Sequence, residues 1–171
     1  MIGASRGTPL RWGEALVRAA RGSIVVRIVT ASVMAMTPVA EAADAAPDAL
    51  VSYRVVGDGI PEPLAAGDAA RGKALVAARD PANCVLCHGV PDASIPFAGD
   101  VGPPLAGIGA RLSAAQLRLR VVDNVRVNPQ TVMPSYYRVE GLARVASPFR
   151  GKPILTAREV EDVVAYLGTL R

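Results

Sequence analysis

Ligand-bearing side chains are scarce in this chain. It has one histidine, His88, two cysteines, Cys84 and Cys87, and two lysines, Lys73 and Lys152. Aromatics make up 4% of its 171 residues. A single histidine excludes any site built on paired imidazoles. Two cysteines and one histidine fall short of the four ligands of a closed zinc site. A disulfide between Cys84 and Cys87 would close too small a loop to add much stability. No apolar run reaches the about 20 residues that span a membrane comfortably. No internal repeat is visible, and the length suits one domain.

The charge and the methionines shrink further once the N-terminus is considered. Met1 to Ala42 reads as an export signal. Arg6, Arg11, Arg18, Arg21 and Arg27 form a basic region, Ile28 to Ala40 is mostly apolar, and Ala40-Glu41-Ala42 is a small-x-small cleavage pattern. The alternative is an uncleaved anchor, against which Pro38 and the cleavage pattern argue. Cleavage near Ala42 leaves 14 of the 19 basic side chains and 13 of the 15 acidic ones, a net charge of +1. A nucleic-acid partner then loses its electrostatic support. The expected location is outside the cytoplasm, with no membrane span after cleavage. The cut also removes Trp12, Met1, Met34 and Met36, so Met133 becomes the sole methionine.

What remains reads as an N-terminal extension over 43–66 and a helical domain over 67–171. The stretch Leu50-Val51-Ser52-Tyr53-Arg54-Val55-Val56 alternates and predicts a strand or an arm, broken by Pro61 and Pro63. Asp68 is an N-cap for a helix from Ala69 to about Arg79, stopped by Pro81. Ser113-Ala114-Ala115-Gln116 is a capping box, with Leu112 and Leu117 spaced as a staple, and its helix runs to about Val125. Thr156-Ala157-Arg158-Glu159 is a second box, stapled by Leu155 and Val160. Val160, Val163, Val164 and Leu167 then share one helix face. The fold class is therefore all-α, with few helices and long Gly- and Pro-marked loops. Such a set makes a small core for its length, so something apolar must complete it.

Cys84-Val85-Leu86-Cys87-His88 supplies the candidate. This is the c-type haem attachment spacing. Two intervening residues let both thiols reach the two vinyl groups of one porphyrin. The next residue is carried beneath the ring, where a neutral imidazole can reach iron. A thioredoxin-like redox pair would need a βαβ pattern nearby, and none is present. One covalent haem c is the expected cofactor, and a thioether-linked haem cannot diffuse away outside the cell.

For the sixth iron position the candidates are Met133, a lysine, water or nothing. Met133 lies 45 residues after His88, in the loop Thr131-Val132-Met133-Pro134, which Pro134 stiffens. The pattern favours His88 and Met133 as the two metal ligands, with Lys152 as runner-up. A thioether raises the reduction potential and leaves no open site for substrate, so no catalytic residue is assigned. In Gly102-Pro103-Pro104-Leu105 a prolyl carbonyl is placed to accept a hydrogen bond from His88 Nδ1. Arg126, Arg138 and Arg144 are either partners of haem propionates or surface charge.

The order of helix, Cys-x-x-Cys-His, Gly-Pro-x-Leu, helix, Met-Pro and C-terminal helix resembles the mitochondrial-type (class I) cytochromes c. That resemblance implies a close crossing of the terminal helices, with Gly72 against Tyr166 or Val163. It also puts the hydrogen-bonding carbonyl on Pro103, which joins Cys84, Cys87, His88 and Met133 as cofactor-binding residues. A narrower likeness runs through Asn128-Pro129-Gln130-Thr131-Val132-Met133-Pro134-Ser135-Tyr136-Tyr137-Arg138. With Gly57-Asp58-Gly59-Ile60-Pro61, Arg150-Gly151-Lys152-Pro153-Ile154-Leu155-Thr156 and Glu159 to Leu167, it is similar to the SoxX family, the monohaem subunits of SoxAX cytochromes.

The resemblance implies periplasmic sulfur oxidation. The chain would be the electron-transfer, non-catalytic-haem subunit of a heterodimeric L-cysteine S-thiosulfotransferase, which conjugates thiosulfate to a carrier-protein cysteine. Its implied partners are a SoxA-type haem subunit, the SoxYZ carrier through the complex, and a soluble cytochrome acceptor. A freestanding periplasmic cytochrome c is the alternative, and a haem enzyme acting alone would need a displaceable sixth ligand. A subunit should present a docking patch, for which the 43–66 extension and Tyr136-Tyr137-Arg138 are the candidates.

Overall fold

The structure is a computed structural model and describes residues 49–171. The export signal expected over 1–42 and the start of the extension lie outside the described residues. Among those described there are five α-helices: α1 (Ala69–Ala77), α2 (Cys84–Cys87), α3 (Ile108–Arg111), α4 (Ala114–Asp123) and α5 (Ala157–Thr169). Two 3₁₀ turns, Asn124–Arg126 and Ser147–Phe149, sit in the loops. No strand forms among these residues; the alternating stretch is extended and ends in one isolated bridge, Val56 to Gly59. The all-α expectation holds.

The long helices begin where their side chains fix the first turn. Asp68 accepts from Arg71 N at 2.8 Å. Both capping boxes form, Ser113 with Gln116 and Thr156 with Glu159, so each satisfies two otherwise orphaned backbone donors. α1 ends at Ala77, before Pro81, and α4 passes into the 3₁₀ turn at Asn124 instead of running on to Val125. The single-turn helices α2 and α3 have no sequence signature of their own; both start from left-handed residues, Asn83 and Gly107.

α5 packs against both α1 and α4. Its buried face carries the expected Val160, Val163, Val164 and Leu167, and with them Tyr166, Glu161 and Asp162. Gly72 makes the α1–α5 crossing possible: a Cβ there would strike the Asp162 carbonyl and Tyr166 Cβ. The nearest atoms at the crossing belong to Asp162 and Tyr166.

Two buried carboxylates set the frame. Glu161 takes a bidentate pair from Arg118, at 2.5 Å from Nε and 2.9 Å from Nη2. Arg118 Nη1 also donates to the Ile60 carbonyl at 2.6 Å, and Leu64 N donates to Glu161 at 3.0 Å. Ionised hydrogen bonds of this kind are the strong ones. They lock residues 60–64 onto the α4–α5 pair, and Ile60 and Leu64 belong to the core. Asp162 receives Arg71 in the same bidentate way, plus Asp68 N at 2.7 Å.

Val51 and Tyr53 lie against Tyr137. Val51 N donates to Tyr137 Oη at 2.6 Å, and the Tyr53 and Tyr137 rings meet at 6.2 Å. Burial first, and the Asp123 charge next, push the Tyr53 phenol above its ordinary value. No helix among the described residues is long and apolar enough to cross a membrane.

Candidate functional site

α2 is a single turn that carries both cysteines. His88 N donates to Cys84 O at 3.0 Å and Leu86 N to Asn83 O at 3.0 Å. Val85 points into the core, while Leu86 faces outward. The following loop folds back over this turn: Gly99 N donates to Val85 O at 2.8 Å, Gly102 N to Cys87 O at 2.7 Å and Leu105 N to Gly89 O at 2.8 Å.

That fold-back fixes the imidazole. His88 Nδ1 lies 2.7 Å from the Pro103 carbonyl oxygen. A carbonyl only accepts, so the proton sits on Nδ1 and the Nε2 lone pair is left available. Gly102 packs flat against the ring, and a Cβ there would collide with the imidazole.

Cys84, His88 and Met133 share the wall of one small cleft of about 40 Å³. The remaining wall is Val76, Leu105, Val121, Tyr136, Leu155, Val163 and Leu167. Every helix but α3 supplies a residue or borders one. Cys87 closes the α2 turn and does not line the cleft. Both cysteines are free. Burial, chiefly, pushes the Cys84 thiol up to about 11. Tyr136 Oη donates to Ala82 O at 2.6 Å, next to the attachment turn, and burial raises its phenol well above normal.

The Met133 loop hangs from the end of α4. Met133 N donates to Thr131 Oγ1 at 3.1 Å, and Asn124 Nδ2 donates to the same oxygen at 2.8 Å. Ser135 Oγ donates to Asp123 at 2.7 Å. Arg138 Nε lies 3.0 Å and Arg126 Nε 3.6 Å from the other Asp123 oxygen. Both arginines thus serve a buried carboxylate, and Arg144 is exposed on the surface.

Two expectations need correcting. Tyr136 and Tyr137 do not form a docking patch; they are 6% and 3% exposed. Their hydroxyls are satisfied inside, by Ala82 and Val51, which lets them pack as core. Lys152 does not reach the cleft: it lines a separate cavity of about 360 Å³ with Ala49, Leu50, Tyr137 and Ile154. Lys73 is paired with Asp92 at 2.6 Å. Arg118, Glu161 and Asp123 are buried ions that no local pattern distinguishes from solvated surface charge.

Residues 69–171 match the family described as Cytochrome c. Among solved structures, the chain is similar to a chain of SoxXA from P. pantotrophus, at 34% identity and a TM-score of 0.65, over 72% of this chain and 98% of that one. No curated protein matches. Cytochromes c hold haem covalently, and the residues here fit that group: two free thiols one turn apart, an oriented imidazole, a thioether and otherwise apolar walls. Sequence match and structural likeness agree, and the chain belongs to the cytochrome c family as a member of the SoxX type.

Proposed function

We propose that this chain is the electron-transfer subunit of a SoxXA-type complex that joins thiosulfate to a carrier-protein cysteine in the periplasm. In this reading Cys84 and Cys87 would hold one haem by thioethers, and His88 and Met133 would ligate its iron. Bound there, the haem supplies one-electron redox chemistry at a raised potential. The Pro103 carbonyl keeps the His88 proton on Nδ1 and so keeps Nε2 a lone-pair donor. The apolar side chains around the cleft exclude water.

The observation that carries the reading is the meeting of Cys84, His88 and Met133 on a single apolar wall. A partner subunit for the chemistry agrees with the chain's own poverty in reactive groups. Among the described residues no three His, Cys, Asp or Glu side chains gather as a metal site. The buried carboxylates are engaged with arginines. In the conjugation itself a thiol loses its proton, an S–S bond forms and two electrons leave to one-electron carriers. The exported protein would follow cleavage near Ala42, meet a SoxA-type haem subunit, and through it the SoxYZ carrier and a soluble cytochrome acceptor.

The test is co-export with a SoxA-type protein in a host that matures cytochromes c. A stable heterodimer on size exclusion is expected, with thiosulfate oxidation that needs both subunits. Elution as a monomer beside the partner, with oxidation unchanged when this chain is omitted, would overturn the proposal.

A further inference from the structure

We propose that Thr131 and Ser135, held by Asn124 and Asp123 at the end of α4, are positioning residues for Met133 that set how firmly its thioether is held on the iron. The inference rests on the reading of Met133 as an axial ligand.

Its basis is a clamp on both sides of one residue. Two positions before Met133, Thr131 Oγ1 takes two donors, the Met133 amide at 3.1 Å and the Asn124 amide side chain at 2.8 Å. Two positions after, Ser135 Oγ donates to Asp123 at 2.7 Å. Asp123 and Asn124 are consecutive, so both grips hang from the same helix end. The helix end is itself anchored, since Val121 and Val122 carbonyls receive Tyr136 N at 3.2 Å and Tyr137 N at 3.3 Å.

The clamp is not generic surface chemistry. Asp123 is 2% exposed and Ser135 is 8% exposed. A buried carboxylate is costly unless paired, and Asp123 is paired with Arg138 on its other oxygen. Its geometry therefore cannot drift freely, and neither can Ser135. By contrast, Val132 and Pro134, the immediate neighbours of Met133, are exposed and make no such bonds. The loop on its own would be loose, and the side-chain clamp supplies what the backbone lacks.

The physical consequence concerns competition. A tethered ligand resists displacement in proportion to its effective concentration at the metal, which a loose tether lowers. Groups that orient metal ligands carry effects of about 10- to 100-fold in metal affinity. Loosening the clamp should therefore show as easier replacement of the thioether by an outside ligand.

The experiment uses the full haem-loaded protein in its ferric form, titrated with imidazole and followed by absorption. Thr131→Val and Ser135→Ala are expected to bind imidazole at least about ten-fold more tightly than wild type, with a lowered reduction potential. Thr131→Ser restores the hydroxyl and should return both readings to wild type, which a purely structural loss of side-chain volume would not. Met133→Ala marks the limit and should bind tightest. Tighter binding in Met133→Ala alone, with Thr131→Val and Ser135→Ala like wild type, overturns the clamp. Met133→Ala with an unchanged spectrum and unchanged imidazole affinity overturns the ligand reading on which it rests. Should Ser135→Ala fail to fold, the Thr131→Val and Thr131→Ser pair decides the matter alone.

Discussion

On the His88 side of the cleft the restraints run mostly through the main chain. The α2 turn closes on itself, and the loop from Gly99 to Leu105 returns to it through three backbone hydrogen bonds and the Pro103 carbonyl. On the Met133 side the backbone alone does little. Side chains of α4 reach out to grip Thr131 and Ser135, and the pair Asp123–Arg138 is buried with them. One side is held mainly through the main chain, the other through side chains at the end of a helix that packs on α5. Main-chain bonds that close a turn persist when a neighbouring helix shifts; side-chain grips that hang from that helix do not. The Met133 side should therefore fail first when the frame is strained.

The largest effect comes from breaking the His88 side covalently. With Cys84→Ala and Cys87→Ala together, covalent attachment should vanish. Acid–organic extraction should then remove all haem from the polypeptide, and intact mass should show the bare chain. Haem retained through that extraction would contradict the assigned anchors.

Next comes the frame that seats α4, from whose end the Met133 loop hangs. Glu161→Gln leaves Arg118 buried without its counter-charge, at a cost of about 3–5 kcal/mol. Chemical denaturation should register this as a lower midpoint. The same titration sharpens the comparison: loss of the thioether–iron signature should precede loss of helical circular dichroism, because local opening takes the least supported region first. Coincident loss would mean that the two sides are one cooperative unit.

A smaller change tests the crossing of α1 and α5. Gly72→Ala forces a methyl against the Asp162 carbonyl, and overpacking of this kind costs about 1–3 kcal/mol. Thermal unfolding of the haem-loaded protein should show it, with the imidazole affinity of the ferric form shifting less than in Thr131→Val.

The smallest expected effect is in the exposed loop after the attachment motif. The Lys73 ammonium, then the Ser94 bonds, hold the Asp92 carboxyl far below its usual range. A depressed carboxyl stabilises the fold above the unfolded value and loses that contribution as pH falls through the folded one. Asp92→Asn should therefore lower the melting temperature slightly near neutral pH. The gap from wild type should close only in strong acid, and low in size throughout because the pair is exposed.

Much of the helical frame was legible beforehand. The capping boxes at Ser113 and Thr156 and the apolar face of α5 are short-range patterns, and short-range patterns act through neighbouring residues. The tyrosines misled for the opposite reason. Tyr136 and Tyr137 carry polar tips that suit a surface, and only partners 54 and 86 residues away, Ala82 and Val51, let them go inside.

By itself the sequence determined the cofactor class, since one Cys-x-x-Cys-His turn and a near absence of other ligands leave few chemistries open. It also determined where the main helices begin. Only the tertiary structure decided which charges are buried, what holds the Met133 loop and how residues 60–64 enter the core. The buried Arg118–Glu161 pair and the seating of residues 60–64 depend on residues far apart in the chain meeting in a low-dielectric interior. There an ion or hydroxyl must find its partner or stay out, and no local run of residues records that choice.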